Sequence, residues 1–554
     1  PRQPDGGDAR APHLGAARGR SQEGPLGLKG VATYARFAWG FPAFLRYRLS
    51  LAEARSEIRR RLADREENFL RLVERGVFGH PRSPYLRLFQ IAGCALDDLR
   101  QMVRAQGLEP ALLALRASGV YVTYEEFKGR QPMVRGGREI PLRPGDFDNP
   151  FLQAAYQRTS GGTTGAGTRV MTDLDNLRAK AARTILTDEI SGLRGLPFGV
   201  WRGALPDNGV GALLSRLPDG RIPEKWFTPI THRELRPALE FRLATEYVLR
   251  MSRLCGVPLP RPEPVPIAEA ARVARWVAGC IETRGGCHLR AHVSLLVRVS
   301  QAAREAGLDL TGAVFGGGGE PPTAAKVAQI KASGARYLPS YNVSEFGKVG
   351  AACLRPVEPN DHHLCRDHLA LIQHRRQVPG TDLEVDAFLF TTLLPSAPKL
   401  AINVETDDYG VLERRSCGCP WEAEGLDVHV RGIRSFRKLT GEGMTLVGSD
   451  VLRILEEVLP SRFGGSPTDY QLVEEEDERG LTRLSLVVSP SVALESEAAV
   501  LDALLEGLRA GSPAADLARA TWSAAGSLRV VRREPVWTGR GKLMPLHLSS
   551  QRSQ

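Results

Sequence analysis

The sequence predicts an α/β fold, with a large core of parallel sheets and flanking helices followed by a small α+β domain. Three observations predict it. From residue 151 to about 432, helical and strand patterns alternate. Within that span, Gly312 to Phe315 reads as a strand running into the turn Gly316-Gly317-Gly318-Gly319, and Ala324 to Ile330 then reads as a helix. Near the C-terminal end, two strand patterns, a helical pattern and a further strand pattern form a β-β-α-β module.

The elements follow in order. Pro1 to Lys29 is rich in Gly, Pro, Ala and Arg, lacks an apolar centre, and reads as a disordered tail rather than a signal peptide. The expected tail spans residues 1–45. Ser50-Leu51-Ala52-Glu53 has the form of a capping box, and Ile58, Leu62, Phe69, Leu70 and Val73 recur at helical spacing. A helical lead-in is therefore expected over 46–150, closing in the turn-rich stretch Pro141 to Pro150. Further on, Ala291 to Ala306 reads as an amphipathic helix, Ala324 to Ser333 as a helix capped by Thr323, and Arg336 to Pro339 as a strand. The last module pairs Tyr470–Val473 with Leu481–Val488, followed by a helix over Ala493–Leu508 and a strand over Leu528–Arg532. The domains expected are 46–434, with the site in 151–434, and 435–554.

Composition excludes some classes. The chain has 554 residues, 42% hydrophobic and 25% charged, as in ordinary globular proteins. No apolar run is long enough to span a membrane. A formal net charge of +11 raises nucleic-acid binding, but the basic residues are scattered and no such motif is present. No specific nucleic-acid partner is expected. Eight cysteines are too sparse for a disulfide scaffold, which makes a reducing cytoplasm the expected compartment. Cys94, Cys255, Cys280 and Cys287 are expected in the core.

Three segments carry chemistry. Thr159-Ser160-Gly161-Gly162-Thr163-Thr164-Gly165 combines glycines, whose backbone amides approach a ligand closely, with hydroxyl donors, as a phosphate-wrapping loop requires. It is not a Walker loop, because no Gly-Lys-Ser/Thr follows. Gly319-Glu320-Pro321 follows the glycine turn. Tyr341-Asn342-Val343-Ser344-Glu345 places an aromatic, a hydroxyl and a carboxylate together, which suit base stacking, phosphate binding and Mg²⁺.

The ordered set resembles the adenylate-forming superfamily of AMP-dependent ligases and acyl-CoA synthetases, and within it the phenylacetate-CoA ligase branch. Thr159 to Gly165 resembles the branch's phosphate loop, Gly319-Glu320-Pro321 its adenine segment, and Tyr341 to Glu345 its Tyr-Gly-x-Ser/Thr-Glu motif. Phe390-Thr391-Thr392-Leu393 and Glu405-Thr406-Asp407-Asp408 resemble its Phe-Thr-Thr-Leu and Arg-Thr-Gly-Asp pair. Gly541-Lys542 resembles its mobile lysine, and Arg431 to Ser435 its hinge. The resemblance runs from about residue 75 to about 545. The chain departs from the pattern at Ala166, where the family has lysine, at Asn342, where it has glycine, and at Glu405 and Asp407.

The resemblance implies ATP-dependent activation of a small carboxylic acid to an acyl adenylate, then transfer to CoA or another thiol, with an acyl carrier protein as a possible acceptor. Ser160, Gly161, Gly162, Thr163, Thr164 and Gly165 would hold phosphates. Gly319, Glu320, Pro321, Tyr341, Ser344, Asp408 and Arg434 would hold the nucleotide. Glu345 would ligate Mg²⁺, and Lys542 would arrive with the C-terminal lid. The acyl pocket is expected from His288 to Ser294 and from Val314 to Gly318. Two alternatives stay open: a weakened nucleotide-binding scaffold, and adenylation without thioester formation. A second set concerns metal. Cys353, a histidine from the run His362-His363, and the pair Cys417 and Cys419 suit tetrahedral zinc. The resemblance favours Cys353, His363, Cys417 and Cys419 as a structural Zn²⁺ site, with His362 or Cys365 as substitutes for His363.

Overall fold

The computed structural model describes residues 28–548 apart from 144, 153–154, 160–168, 206, 230–238, 320–321, 378–383, 436–438, 442–443, 447–450, 452, 466–468, 477–481, 511–518, 521 and 537–545. The first element is a helix, Leu28–Arg46, where a disordered tail was expected to run to residue 45. Phe37, Phe41, Phe44 and Leu45 recur on one side of it and are buried against Leu174, Leu177 and Phe198. That aromatic stripe outweighs the polar composition of the segment before it. The next helix, Leu51–Ala63, carries the expected capping box: Glu53 N–H donates to Ser50 Oγ at 3.2 Å, and Ser50 N–H donates to Glu53 Oε2 at 2.8 Å. Short helices continue to Tyr124–Phe127.

Two hairpins precede the main sheet, β1 (Met133–Arg135) with β2 (Arg138–Ile140) and β3 (Ala155–Thr159) with β4 (Arg169–Asp173). The sheet itself uses β5 (Phe198–Trp201), β6 (Lys225–Thr228), β7 (Pro262–Pro264), β8 (Cys287–His292), β9 (Ala313–Gly318), β10 (Arg336–Val343), β11 (Gly347–Ala352), β12 (His362–Leu364), β13 (Leu369–Gln377), β14 (Glu384–Thr392), β15 (Val404–Arg414) and β16 (Val428–Ser435). Its order is β13-β14-β15-β16-β12-β11-β10-β9-β8-β5-β6-β7. The half from β7 to β10 is parallel and the half from β10 to β13 is antiparallel. Helices Ala270–Arg284, Val293–Glu305 and Ala324–Lys331 cover one face of the parallel half and bury Leu289, Phe315 and Val297. The expected parallel α/β core is present, and the antiparallel half extends it.

Two boundaries differ from expectation. Gly316, Gly317 and Gly318 continue strand β9 rather than forming the turn, which begins at Gly319 with φ +92°. A Cβ on Gly317 would meet the Tyr337 ring at 2.5 Å, and one on Gly318 would meet the Ser340 carbonyl oxygen at 2.7 Å. These glycines therefore permit close packing within the sheet. Strand β8 likewise runs through His292, paired with Gly318, so the helix expected from Ala291 starts at Val293. Thr323 caps its helix as expected, accepting from Lys326 N–H at 3.2 Å. Cys280 and Cys287 are buried as expected, whereas Cys94 and Cys255 are only half-buried.

After β16 the described chain forms β17 (Leu439–Gly441) with β18 (Met444–Leu446), then a four-stranded sheet of order β21-β20-β19-β22. Its strands are β19 (Tyr470–Glu476), β20 (Thr482–Val488), β21 (Leu528–Arg532) and β22 (Leu546–Leu548). Leu472, Leu486, Trp522 and, from helix Glu497–Arg509, Leu504 form its own core. The expected β-β-α-β order is present, with β22 added at the edge.

One buried side chain ties the lead-in helices to the sheet. Asn403 has φ +48°, and its amide donates to the Leu112 and Val120 carbonyls at 2.8 and 3.1 Å. Asn403→Ala removes both of these buried hydrogen bonds and keeps a left-handed backbone under a side chain that tolerates it less well. Denaturant unfolding is expected to show a loss of about 2–4 kcal/mol for this variant. A loss under about 0.5 kcal/mol, the ordinary size for a surface change, would overturn that account.

Candidate active site and metal-ligand cluster

The site is built where β10 turns into β11. The Tyr341/Asn342 register shifts, and the turn closes with Phe346 N–H donating to the Val343 carbonyl at 3.1 Å. Phe346 anchors this turn, stacking on Phe390 with ring centroids 4.9 Å apart. The Tyr341 ring lies 6.2 Å from that of His362, and its hydroxyl donates to Asp408 Oδ2 at 2.8 Å. Burial, then the Asp408 charge and hydrogen bond, push the Tyr341 phenol well above its usual range, so it stays a neutral donor. Asp408 lies on β15. Its N–H donates to Thr406 Oγ1 at 3.2 Å. Two carboxylate-bearing segments thus meet on adjacent parts of one sheet.

Glu345 is held by a lysine that the sequence did not single out. Lys128 Nζ donates to Glu345 Oε1 at 2.7 Å, and both side chains are 9% exposed. Lys128 directly follows helix Tyr124–Phe127, whose capping box joins Thr123 and Glu126, and its ammonium sits 5.2 Å from the centre of the Tyr124 ring. No sequence pattern links residues 217 positions apart. Glu405, where the family pattern has arginine, is buried and ion-paired to Arg376, with His374 Nε2 at 3.9 Å. An arginine instead reaches it from β13, two strands away in the sheet.

The other expected residues fall as follows. The hairpin of β3 and β4 brackets the phosphate loop, with Thr159 opposite Arg169. Ser160, Gly161, Gly162, Thr163, Thr164 and Gly165 lie outside the described residues, as do Glu320, Pro321 and Lys542. Gly319 is exposed at the end of β9, and Ser344 is half-buried in the turn. Arg434 is exposed on β16 opposite Tyr409, one step from the Asp408–Ser435 pair.

The metal-ligand candidates converge. Cys353 Sγ lies 3.7 Å from Cys417 Sγ, and His363 Nε2 lies 3.6 Å from Cys417 Sγ and 2.9 Å from Cys419 Sγ. A tetrahedral zinc with Zn–S near 2.3 Å sets sulfur atoms about 3.8 Å apart, so the donors fit. His363 Nδ1 faces the Leu426 carbonyl at 2.6 Å, which orients the ring. The Cys419 thiol is pushed down by hydrogen bonding from Cys353, with burial opposing and His363 adding to it, so the thiolate is favoured. Glu422 accepts the Cys417 and Gly418 N–H groups and fixes their loop. The structure also adds His429, which stands opposite His363 in the β12–β16 register with ring centroids 4.1 Å apart. One donor atom each of Cys353, His363, Cys417 and His429 lies within 4.8 Å of the others. His429 Nε2 is buried without a partner, while its Nδ1 faces Asp361 at 2.7 Å. His362 points instead toward Tyr341, and Cys365 is buried outside this set.

The chain resembles 2-hydroxyisobutyryl-CoA ligase, solved with 2-HIB-AMP and CoA in the thioesterification state, at a TM-score of 0.51 and 17% identity, over 91% of each chain. The chain has the adenylate-forming fold. The amide bond synthetase from Marinactinospora thermotolerans (TM-score 0.38, 13% identity, 93% of this chain and 98% of that one) and the o-succinylbenzoate CoA synthetase from Bacillus subtilis (0.40, 14%, 70% and 67%) are weaker likenesses. No protein-family model matches the chain, and no curated protein matches it in sequence. Among the described residues no helix is long and apolar enough to cross a membrane.

The Lys128–Glu345 pair makes a prediction about stability. Glu345→Gln removes the negative charge paired with a buried ammonium and is expected to cost about 3 kcal/mol in denaturant unfolding. Adding Lys128→Met to the same protein should recover most of that loss. Equal stability of the single and double variants would show that the pair is not coupled.

Proposed function

We propose that the chain activates a small carboxylic acid with ATP and then passes the acyl group to CoA or another thiol, in the manner of the phenylacetate-CoA ligase branch. The observation that carries this reading is the meeting of Tyr341, Asp408 and Glu345 at one end of the shared fold. In the first half-reaction a carboxylate oxygen bonds to the α-phosphorus and pyrophosphate leaves. In the second, a thiolate sulfur bonds to the acyl carbon and AMP leaves. Both partners of the first step are anions, so positioning and charge neutralisation dominate. Tyr341 would flank the adenine, and Asp408 would accept from ribose hydroxyls. Glu345 would help hold Mg²⁺, whose charge would screen the phosphates. Ser160 to Gly165 would wrap the phosphates, and Lys542 would approach the α-phosphate with the C-terminal domain, residues 435–554. Arg434 would lie at the hinge.

ATP–pyrophosphate exchange across aromatic and fatty acids tests this reading, and its absence with every acid favours the scaffold alternative. Hydroxylamine trapping with and without CoA separates thioester formation from adenylation alone. Lys542→Ala is expected to slow adenylate formation by roughly 10² or more while sparing thioester formation from a supplied acyl adenylate. An equal fall in both half-reactions would refute a two-position lid.

The donor set Cys353, His363, Cys417 and Cys419 would hold a structural zinc, and would supply folding energy rather than chemistry. About one equivalent of zinc is expected after purification without chelator, with a lower Tm for Cys417→Ser. Less than about a tenth of an equivalent would count against it.

A further inference from the structure

Strand β8 in the parallel half carries an arginine between two histidines that the activation chemistry leaves unused. His288, Arg290 and His292 alternate along β8 and share one face, opposite Leu289 and Ala291, which enter the core. On the neighbouring strand they stand beside Val314, Gly316 and Gly318. A Cβ on Gly316 would meet His288 Nε2 at 3.0 Å and Arg290 Cγ at 3.7 Å, so the glycine keeps the face open above Arg290. His292 ends β8 at the carboxyl edge of the parallel strands, where α/β sheets bind ligands. There His292 pairs with Gly318, and Ser340 follows the Pro339–Gly317 pair, one residue before Tyr341.

Arg290 lies deep in the molecule yet keeps accessible surface. Among the described residues, no hydrogen bond or ion pair engages its guanidinium. The nearest acidic group, Asp188, is already shared by Arg216 at 2.8 and 3.0 Å and Arg221 at 2.7 Å. Lys348, also nearby, donates to Thr187 Oγ1 at 3.0 Å. Burial, then Arg216 and Arg202, lower Arg290 to about 9, and the charge of Asp188 offsets only part of that cost. The Nδ1 atoms of His288 and His292 are buried without partners, and burial keeps both rings neutral. A buried guanidinium among like charges is retained at a penalty unless an anion meets it.

We infer that the acid activated here carries a second carboxylate, and that Arg290 receives it as a bidentate partner, with the neutral imidazoles of His288 and His292 beside it. This rests on the proposed function and names its substrate class: a dicarboxylic acid, activated at one end and bound by its charge at the other. A planar guanidinium matches a carboxylate with two parallel hydrogen bonds.

Pyrophosphate exchange with matched acids tests it, using butyrate against succinate, hexanoate against adipate and benzoate against phthalate. The wild-type protein is expected to favour at least one diacid by tenfold or more in kcat/KM. Arg290→Met should abolish that preference while monoacids are still turned over, and Arg290→Lys should retain part of it. If the Met variant fails to fold by circular dichroism, the Lys variant decides. Equal or better use of monoacids by the wild type, or an unchanged preference in both variants, would overturn the inference and leave the proposed function standing. If no acid supports exchange, the proposed function falls, and calorimetric titration with succinate, adipate and phthalate decides the pocket. Saturable binding lost in Arg290→Met upholds the anion site, and no binding of any diacid overturns it.

Discussion

Strand β10 bonds in parallel to β9 from Arg336 to Pro339 and antiparallel to β11 from Ser340 to Val343, and the site depends on this change of partner. Pro339 has no N–H, so it suits the position where one ladder ends and the other begins. Beyond it the register shifts at Tyr341/Asn342. The shift turns Tyr341 toward Asp408, which arrives from β15 in the antiparallel half. Without the two ladders meeting on one strand, the glycines of β9 and the carboxylate of Asp408 would lie on separate sheets.

Charge pairing does much of the remaining positioning. Asp188 joins Arg216 and Arg221, Asp367 joins Arg183 and Arg61, and Glu345 joins Lys128. Each pair bridges elements far apart in the chain. A buried pair adds little net stability but makes the loss of one partner costly, which favours a single arrangement. Arg290 stands out against this background, since among the described residues no hydrogen bond or ion pair engages its guanidinium.

The metal-ligand cluster follows the same logic of distant segments. Cys353 closes β11, His363 lies on β12, His429 on β16, and Cys417 and Cys419 lie in the loop between β15 and β16. The pairing of β12 with β16 sets the two histidines face to face. Cys353, His363, Cys417 and Cys419 were named from the sequence through a family resemblance. His429 was not, because a lone histidine in a strand carries no spacing signal.

By itself the sequence determined whatever depends on neighbours in the chain. Ser50 with Glu53, Thr323 before its helix, and the strand Leu528–Arg532 were legible because caps and period-two patterns are local. So were the alternation that implies a parallel core and the ordered motifs from Tyr341 to Asp408. The helix over Leu28–Arg46 was hidden because the tail-like composition of Pro1 to Lys29 was carried on to residue 45, and only the groove offered by Leu174, Leu177 and Phe198 makes its phenylalanine stripe a core face. The tertiary structure alone decided that Gly316 to Gly318 are strand, since the rings above them come from β8 and β10. It alone placed Lys128 on Glu345, Arg376 on Glu405 and no carboxylate on Arg290. Pairings across hundreds of residues arise from sheet register and packing, which no local period encodes.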